Sequence, residues 1–320
     1  MKELVCASFF AGVGGIDKGF EINGFKTIYA NEMDRHAVKT YERNFDLEVD
    51  CRKIEDVKTD EIPDFDIMLA GFPCTSFSLA GYRLGFDDER TGHLFLELER
   101  IFKKKKPSII FLENVKNLVS HDKGNTFRVI LDSLESNGYH IKYQVLNGCE
   151  YGNTPQNRER IYIVGFRSKK LYEKFEFPKP ILLNKKLSDV IDFHNKVDEK
   201  YYYSEKCPFY DKLKEGMIRK DTIYQWRRIY VRENKSNVCP TLTANMGTGG
   251  HNVPLVLTDY GIRKLTPHEC FNIQGFPGDF ILPIENSNTS LYKQAGNSVV
   301  VSVIDRIAQN IKKILKNKEV

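Results

Sequence analysis

Short apolar runs alternate with amphipathic or glycine-containing stretches over residues 1–166, a pattern typical of a parallel sheet flanked by helices. Each apolar run is bounded by Gly, Pro, Asn or charged residues, which favours a buried strand. The predicted strands are Leu4–Phe9, Thr27–Ala30, Phe65–Ala70, Ile109–Leu112 and Arg160–Val164. The intervals predict helices, for example over Asp34–Phe45 and Leu94–Lys105.

This alternation is lost from Ser168 to about Lys235, where a Lys- and Tyr-rich segment predicts a separate, loop-rich module. Apolar residues return at helical spacing over Val299–Leu315, and we expect this helix to pack back on the first domain. The sequence therefore predicts two unequal domains. The larger comprises residues 1–167, completed by about 287–320, and the smaller comprises residues 168–286.

Composition excludes several classes of protein. None of the 320 residues lies in a stretch approaching the roughly 20 consecutive apolar positions of a membrane span, and Met1–Leu4 begins no signal-peptide core. The seven cysteines include no C-x-x-C pair and have no histidine beside them at zinc-ligand spacing. We expect a soluble, cytoplasmic protein with reduced thiols, no metal site and no membrane partner.

The formal net charge of +5 is unevenly distributed. Residues 167–235 hold 18 basic and 11 acidic side chains, so this segment alone has a basic surplus of seven. A surplus of this size is common on solvated faces. It indicates nucleic acid only when a chemical motif accompanies it.

A glycine-rich turn, Phe10-Ala11-Gly12-Val13-Gly14-Gly15, follows the first predicted strand. Glycines let the chain turn tightly and approach a ligand closely. Glu32 ends the second predicted strand 20 residues after Gly12, the distance at which an acidic side chain can hold ribose hydroxyls. The combination predicts an adenosine-containing ligand.

An NAD site would need a third glycine where this chain has Asp17, so the dinucleotide fingerprint fails. S-adenosylmethionine carries no phosphate, and a loop ending in Gly14-Gly15 before an acidic residue suits its zwitterionic methionine end better than a pyrophosphate. Asp50, expected after a short third strand, is a candidate partner for the adenine amino group. The predicted cofactor is therefore S-adenosylmethionine.

Four polar side chains are candidates for chemistry. Cys74 follows Pro73 just beyond the fourth predicted strand, where open parallel sheets bind ligands. Glu113 ends another strand at the same edge, and Arg158 and Arg160 adjoin a further strand. Singly, each would more often be a buried thiol or part of a surface ion pair. Together they match one reaction.

That reaction is methylation of carbon 5 of cytosine. This carbon is too weakly nucleophilic to accept a methyl group unaided, and a thiolate such as that of Cys74, adding at carbon 6, gives a reactive enamine. A carboxyl group such as Glu113 can donate to nitrogen 3, and an arginine can stabilise charge on the ring carbonyl. The sequence does not identify the base that later removes the carbon 5 proton.

Taken in order along the chain, these motifs resemble those of the bacterial cytosine carbon-5 DNA methyltransferases of type II restriction-modification systems. Three later stretches also resemble the family, namely Arg263–Glu269, Gln274–Pro277 and Gly296–Val299. The resemblance covers most of the chain except about 168–236. It implies a Rossmann-like S-adenosylmethionine-dependent methyltransferase fold, an α/β mixed sheet flanked by helices, with a smaller target-recognition domain.

The resemblance also implies roles for individual residues. Arg160 would contact the cytosine carbonyl, and Ser8 stands where the family commonly has an acidic residue. The implied catalytic residues are Cys74, Glu113, Arg158 and Arg160. The implied cofactor-binding residues are Phe10, Ala11, Gly12, Gly14, Gly15, Glu32, Met33, Asp50, Cys51, Pro73, Leu94, Asn297, Ser298 and Val299.

The expected partner is double-stranded DNA. A stacked base cannot present carbon 6 to a thiolate, so the target cytosine must be flipped out. We expect Ser78–Gly92 to close over the DNA, and the basic segment after Arg167 and the run Thr241–Pro254 to contact it. The protein is expected to be a monomer that shares its site with a cognate restriction enzyme without forming a stable complex. An RNA cytosine-5 methyltransferase and an inactive DNA-binding relative are the alternatives.

Overall fold

The computed structural model describes residues 4–73, 93–248 and 251–316. The chain forms two compact units. Unit 1 comprises Met1–Leu146, Glu159–Pro178 and Ile304–Val320, and unit 2 comprises Asn147–Arg158 and Lys179–Val303. Unit 2 thus includes residues 147–158 and 287–303, which the sequence analysis assigned to the larger domain. Compactness does not test function, so the division into a catalytic and a target-recognition domain stays a prediction.

Unit 1 is built on six strands: β1 Val5–Phe9, β2 Lys26–Asn31, β3 Ile67–Gly71, β4 Ile109–Val115, β5 His140–Asn147 and β6 Glu159–Phe166. Their order in the sheet is β2-β1-β3-β4-β6-β5. The first four strands pair in parallel, whereas β6 runs antiparallel to β4. The sheet is therefore mixed, in agreement with the predicted Rossmann-like methyltransferase fold.

The α-helices are named in chain order. They are α1 Gly15–Glu21, α2 Arg35–Glu42, α3 His93–Lys105, α4 Asn125–Ser136, α5 Gly148–Tyr151, α6 Lys169–Lys174, α7 Tyr210–Gly216, α8 Pro267–Ile273, α9 Asn288–Asn297 and α10 Val301–Lys316. The two example helices of the sequence analysis are confirmed as α2 and α3, with ends shifted by a few residues.

The strands at the centre of the sheet are continuous apolar runs. Nearly every residue of β3 and β4 is buried, as expected for parallel strands covered on both faces. Phe95, Leu98 and Phe102 of α3 pack into the same apolar core. This burial explains why the central strands could be identified from the apolar pattern alone.

One strand of unit 1 was not predicted. The strand β5 is at the edge of the sheet, and only Leu146 of its residues is buried, so it lacks a continuous apolar run. Helix α4 precedes it, in an interval for which the sequence predicts helices. The short strand expected before Asp50 is wrong, because Asp50 forms only an isolated parallel bridge with Asn31.

The predicted C-terminal helix is confirmed as α10, and its unit 1 part packs on α1. A side chain on Gly19 would lie 2.5 Å from the Ile304 side chain, so only glycine allows this approach. Asn23 Nδ2 donates to Asp305 Oδ1 at 2.8 Å. The last helix therefore completes the layer around the first.

Unit 2 contains a second, antiparallel sheet of four short strands: β7 Tyr224–Trp226, β8 Val231–Glu233, β9 Leu255–Thr258 and β10 Gly261–Lys264. Their order is β10-β9-β7-β8. A buried ion pair supports this unit, in which Arg263 Nη2 lies 2.6 Å from Glu269 Oε1. The Thr266 hydroxyl accepts from the Glu269 amide and caps α8.

No helix within residues 4–73, 93–248 and 251–316 combines the length and the apolar character needed to cross a bilayer. The six cysteines in those ranges form no disulfide bond with one another. Those ranges also contain no group of three or more His, Cys, Asp or Glu side chains that could hold a metal ion.

Candidate active site

Three neighbouring strands of unit 1 end or begin at one edge of the sheet. Gly71, the last residue of β3, lies opposite Glu113 in β4, and Val115 lies opposite Arg160 in β6. Because β6 is antiparallel, it begins where β4 ends. The edge therefore brings together Glu113, Arg160 and the strand end that precedes Cys74 in the sequence.

Glu113 and Arg160 form an ion pair at this edge. Arg160 Nε lies 3.1 Å from Glu113 Oε1, and the two side chains are only 13% and 10% exposed. Arg160 Nη1 also donates to the backbone carbonyl of Glu159 at 2.8 Å. Low exposure weakens screening by water, which strengthens both interactions. A base bound here would meet a carboxyl group and a guanidinium side by side.

Asn114 anchors the chain that leads out of β3. Its Nδ2 donates to the Phe72 carbonyl at 2.8 Å, and its Oδ1 accepts from the Val115 amide at 2.8 Å. The Asn114 side chain is buried. Both bonds are therefore shielded from water, and they fix the backbone two residues before Cys74.

Two predictions fall on residues outside the described ranges, namely the nucleophile Cys74 and the closing loop Ser78–Gly92. On either side of them, Pro73 is exposed and Leu94 is half-buried against the core. The roles of all four stay predictions.

The glycine-rich turn after β1 is held by Glu32. Its carboxylate accepts from the Gly12 amide at 2.8 Å through Oε2 and from the Asp34 amide at 2.8 Å through Oε1. Gly12 has a φ of +57°, and a Cβ added there would meet no atom within 4 Å. The turn therefore has open space above its backbone and a fixed carboxylate beside it.

The rest of this turn is partly enclosed. Phe10 has a φ of +53° and is half-buried, as is Ala11, whereas Gly14 and Gly15 are buried. A side chain on Gly14 would overlap the Phe45 ring. A turn that is open above Gly12 fits a bulky adenosyl ligand, and Glu32 has the acceptor chemistry that ribose hydroxyls require.

Asp50 is engaged by two side chains. Arg52 Nε donates to its Oδ1 at 2.8 Å, while Arg52 Nη2 and the Tyr29 hydroxyl donate to Oδ2 at 2.7 and 2.9 Å. The hydrogen bonds from the Arg52 guanidinium lower the pKa of Asp50. An adenine amino group would find a charged acceptor here, provided that it displaces part of the Arg52 fork.

Two further predicted cofactor residues lie at the surface near this carboxylate. Met33 is 66% exposed, and Cys51 is exposed with its Sγ 3.9 Å from the Met33 carbonyl. An exposed thioether at this position offers a polarisable surface for an aromatic ring.

Asp17 is a site residue that the sequence analysis used only to exclude NAD. The side chain is 1% exposed. Its carboxylate accepts from the hydroxyls of Ser8 at 2.8 Å, Thr27 at 3.0 Å and Tyr41 at 3.0 Å. Burial raises the pKa of Asp17. The carboxylate beside Ser8, where the family commonly has an acidic residue, is thus supplied by α1.

Arg158 belongs to unit 2, and the structure places it away from solvent. Its guanidinium donates to the backbone carbonyls of Leu242 at 2.8 Å, of Gly296 at 3.0 Å and of Ser298. Three backbone acceptors at one planar fork hold a fixed arrangement. This environment differs from that of Arg160, which pairs with a carboxylate.

The last predicted cofactor segment begins at Asn297, the final residue of α9. Asn297 is exposed, whereas Ser298 and Val299 are buried. The Gln274 side-chain amide donates to the Ala295 carbonyl at 2.7 Å and supports the end of this helix. The segment therefore presents one exposed side chain on a fixed backbone.

Unit 2 has a polar cleft of about 660 Å³. Its lining includes Arg227, Arg228 and Arg232, of which the first two lie in the turn between β7 and β8. Arginine forks match the acceptor pair of guanine and the oxygens of phosphate. Part of Thr241–Pro254 also lines the cleft, so the two predicted DNA-contacting segments meet in one concave surface.

Comparison with known proteins points in one direction. A family model described as C-5 cytosine-specific DNA methylase matches residues 4–313. The chain is 64% identical over 312 residues to the Type II methyltransferase M.Bsp6I of Bacillus sp. (strain RFL6), covering 97% of this chain and 99% of that protein. It is 43% identical over 312 residues to the Type II methyltransferase M.HaeII of Haemophilus aegyptius, covering 96% of this chain and 92% of that protein.

A solved structure of a Spodoptera frugiperda DNMT2 variant superposes with a TM-score of 0.75 at 20% sequence identity, covering 96% of this chain and 99% of that one. At this identity the likeness shows the fold.

Proposed function

We propose a mechanism for this chain from the premise that it belongs to the C-5 cytosine-specific DNA methylase family. It is a DNA cytosine-5 methyltransferase of the kind found in type II restriction-modification systems, and S-adenosylmethionine is its methyl donor. The predicted family, enzyme class and cofactor are therefore confirmed. The residues that perform each step are the proposal.

The observation that carries the proposal is the Glu113–Arg160 ion pair, 3.1 Å long, at the sheet edge where β3 ends. Cys74 follows that strand end by three residues. A nucleophile, a carboxyl group and a guanidinium within reach of one base are the set that addition to cytosine needs.

In the proposed reaction the Cys74 thiolate adds to carbon 6 of the cytosine. The Sγ–C6 bond forms, the 5,6 double bond breaks, and carbon 5 becomes nucleophilic enough to accept the methyl group. When bound, S-adenosylmethionine would supply that group by cleavage of its sulfonium S–CH3 bond, with S-adenosylhomocysteine as the leaving group. Removal of the carbon 5 proton by a base then restores the double bond and expels the thiolate. Asn114 supports this geometry by holding the Phe72 carbonyl at 2.8 Å.

Glu113 and Arg160 would stabilise the charge that this addition creates. Glu113 would donate to nitrogen 3 as negative charge accumulates on the ring, and Arg160 would bind the ring carbonyl. The ion pair between them supports this division of roles. A cytosine that enters this edge can offer its ring carbonyl to Arg160 in place of the Glu113 carboxylate.

Several unit 1 residues have the chemistry to hold the cofactor. Glu32 would accept from the ribose hydroxyls and Asp50 from the adenine amino group, while the turn at Gly12 leaves room for the ligand. Phe10 and Met33 would contact the adenosine. Asn297–Val299 stays the predicted site for the methionine end.

We further propose that the target cytosine is flipped out of duplex DNA, at a cost of about a few kcal/mol. The arginine-lined cleft of unit 2 supports DNA contact there, because Arg227 and Arg228 are exposed at the tip of a β-hairpin. Methylation would protect the DNA from a cognate restriction enzyme that shares the site without a stable complex. The protein would act as a monomer, and a dimer peak in gel filtration would contradict that part.

Bisulfite sequencing of DNA from a methylation-free bacterial host that expresses the chain tests the reaction. We expect protected cytosines in one short sequence context, and no protection with Cys74→Ala. The matched control is Cys207→Ala, a half-buried free thiol in unit 2 that should leave protection unchanged. Full protection with Cys74→Ala would refute the nucleophile. Protected cytosines in the host RNA alone would favour the RNA alternative, and none in either would favour the inactive relative.

A further inference from the structure

Arg158 connects two segments of unit 2 that are far apart in the sequence. The side chain is only 2% exposed. It donates to Leu242, 84 residues away, at 2.8 Å, to Gly296, 138 residues away, at 3.0 Å, and to Ser298. One guanidinium thus bridges residues 242 and 296–298.

The two bridged segments have different predicted tasks. Leu242 lines the polar cleft together with Arg227, Arg228 and Arg232. Ser298 lies in the predicted cofactor segment Asn297–Val299. The bridge therefore joins a wall of the DNA cleft to a cofactor-binding segment.

A second contact joins the same two segments without Arg158. A Cβ added to Gly296 would overlap the backbone of Thr243 and Ala244, so the backbones of these two segments are in contact. At Gly247 an added Cβ would lie 2.8 Å from the Tyr292 Cβ. Thr243, Ala244 and Gly247 consequently pack closely against α9.

We propose that Arg158 is a positioning residue that couples DNA binding in the cleft to cofactor binding at Asn297–Val299, and that it does not touch the cytosine. The inference rests on the proposed function, since it takes the cleft as the DNA site and the segment as the cofactor site. The new element is the coupling between these two sites through Arg158.

The chemistry of the bridge explains how the link operates. Arginine presents several donors in one rigid plane, so its three carbonyl acceptors keep a fixed relative position. A DNA molecule that fixes the position of Leu242 in the cleft wall also fixes the positions of Gly296 and Ser298. Cofactor binding acts in the reverse direction. By linkage, each ligand must tighten the other by the same factor.

The test compares Arg158→Lys with a matched control, Arg263→Lys. Both arginines are buried in unit 2, but Arg263 pairs with Glu269 and donates to the carbonyls of Asp192 and Lys264. The dissociation constant of S-adenosylhomocysteine is measured with and without the duplex that bisulfite sequencing identifies. We expect DNA to tighten S-adenosylhomocysteine binding in the wild type, and Arg158→Lys to reduce that factor roughly tenfold, the effect of losing one charged hydrogen bond. Arg263→Lys should retain it.

Trp226 supplies a signal that a merely structural role would not change. It is the only tryptophan of the chain and lines the cleft. S-adenosylhomocysteine alone should change its fluorescence in the wild type and in Arg263→Lys, and should change it less in Arg158→Lys, in which the contact of Gly296 with Thr243 and Ala244 remains.

A second variant avoids dependence on a buried substitution. Thr241 is exposed, and its hydroxyl donates to the Asn157 carbonyl at 2.6 Å, next to Arg158. Thr241→Val keeps the shape and should reduce the coupling factor about threefold. This variant decides the matter if Arg158→Lys does not fold.

Three results would overturn the proposal: no mutual tightening in the wild type, equal losses in Arg158→Lys and Arg263→Lys, or a lowered kcat in Arg158→Lys with unchanged coupling. The last would favour a catalytic Arg158. Failure of the proposed function has a different signature, because wild-type protein would then leave host DNA unmethylated, whereas the binding measurements need no turnover.

Discussion

Unit 1 holds the acidic side chains of its two candidate sites in different ways. Near the glycine-rich turn, Glu32 accepts from the backbone amides of Gly12 and Asp34. At the β4–β6 strand pair, Glu113 of β4 forms an ion pair with Arg160 of β6. Backbone amides cannot leave their carboxylate, whereas a side chain can turn toward a new acceptor.

These two arrangements suit different tasks. A carboxylate held by two backbone amides stays in place, which suits an acceptor for ribose hydroxyls. A carboxyl group whose charged partner can move to a substrate carbonyl is suited to donating a proton when that partner leaves. Substitutions at the two kinds of carboxylate should therefore affect different kinetic constants.

Glu113→Gln should lower kcat about 10³-fold, because an amide cannot transfer a proton to nitrogen 3. Melting temperature should fall as well, because the poorly exposed Arg160 guanidinium loses its charged partner. Methyl transfer to the identified duplex measures kcat. The control is Glu159→Gln, which breaks the exposed pair with Lys116 at the same sheet edge and should leave kcat unaltered. An unchanged kcat in Glu113→Gln would rule out proton donation by this residue.

Arg160→Ala should lower kcat about 10²-fold by removing the donor to the ring carbonyl. The KM for S-adenosylmethionine should stay the same, because Arg160 donates to the Glu159 carbonyl and pairs with Glu113, neither of which is a proposed cofactor residue. Lys116→Ala, an exposed cation at the same edge, is the comparison. A rise in that KM with a normal kcat would indicate that Arg160 contributes to cofactor binding and not to the chemical step.

Asp17→Asn tests the buried carboxylate under the glycine-rich turn. We expect it to lower the free energy of unfolding by about 1–3 kcal/mol, because three hydroxyl donors lose a carboxylate acceptor. Burial raises the folded-state pKa of Asp17, so its stabilising contribution is complete below the ordinary aspartate pKa and is lost as pH rises through the raised value. The advantage of wild type over Asp17→Asn should therefore be larger at about pH 5 than at about pH 8.

Urea unfolding of both proteins at the two pH values measures this difference. Thr59→Val, which alters a buried hydroxyl elsewhere in unit 1, should show no such pH dependence. An advantage that grew with pH would mean that the folded protein prefers a charged Asp17.

Arg52→Ala is expected to have the smallest effect. It frees Asp50 from the bidentate fork, so the KM for S-adenosylmethionine should fall about twofold to threefold, within the range of an exposed ion pair. Lys53→Ala changes the neighbouring exposed cation and should leave the KM as it is. A higher KM in Arg52→Ala would show that Arg52 itself contributes to binding.

The sequence predicted the fold well where burial is continuous and poorly where it is not. The apolar runs of β3 and β4 are typical of central strands, whereas β5 lies at the sheet edge and only its Leu146 is buried. An apolar run also does not indicate the direction in which a strand runs. The antiparallel β6 is what brings Arg160 beside Glu113.

The candidate site shows the same limit. Arg158 and Arg160 are equivalent as sequence motif members, but the acceptors of Arg158 lie 84 and 138 residues further along the chain. No local pattern could separate their roles. The buried network of Asp17 did have a signal, because an acidic residue at the start of an apolar helix turn needs partners once it is buried.

The packing of α10 on α1 has a consequence for folding during synthesis on the ribosome. The hydrogen bond from Asn23 to Asp305 can form only after Asp305, 282 residues further along the chain, has been synthesised. At translation speeds of about 5–20 residues per second, this delay amounts to roughly a quarter of a minute to a minute. During that time the Gly19 face of the nascent chain stays uncovered, so chaperone binding to stalled chains should end once translation passes Ile304 and the helix emerges.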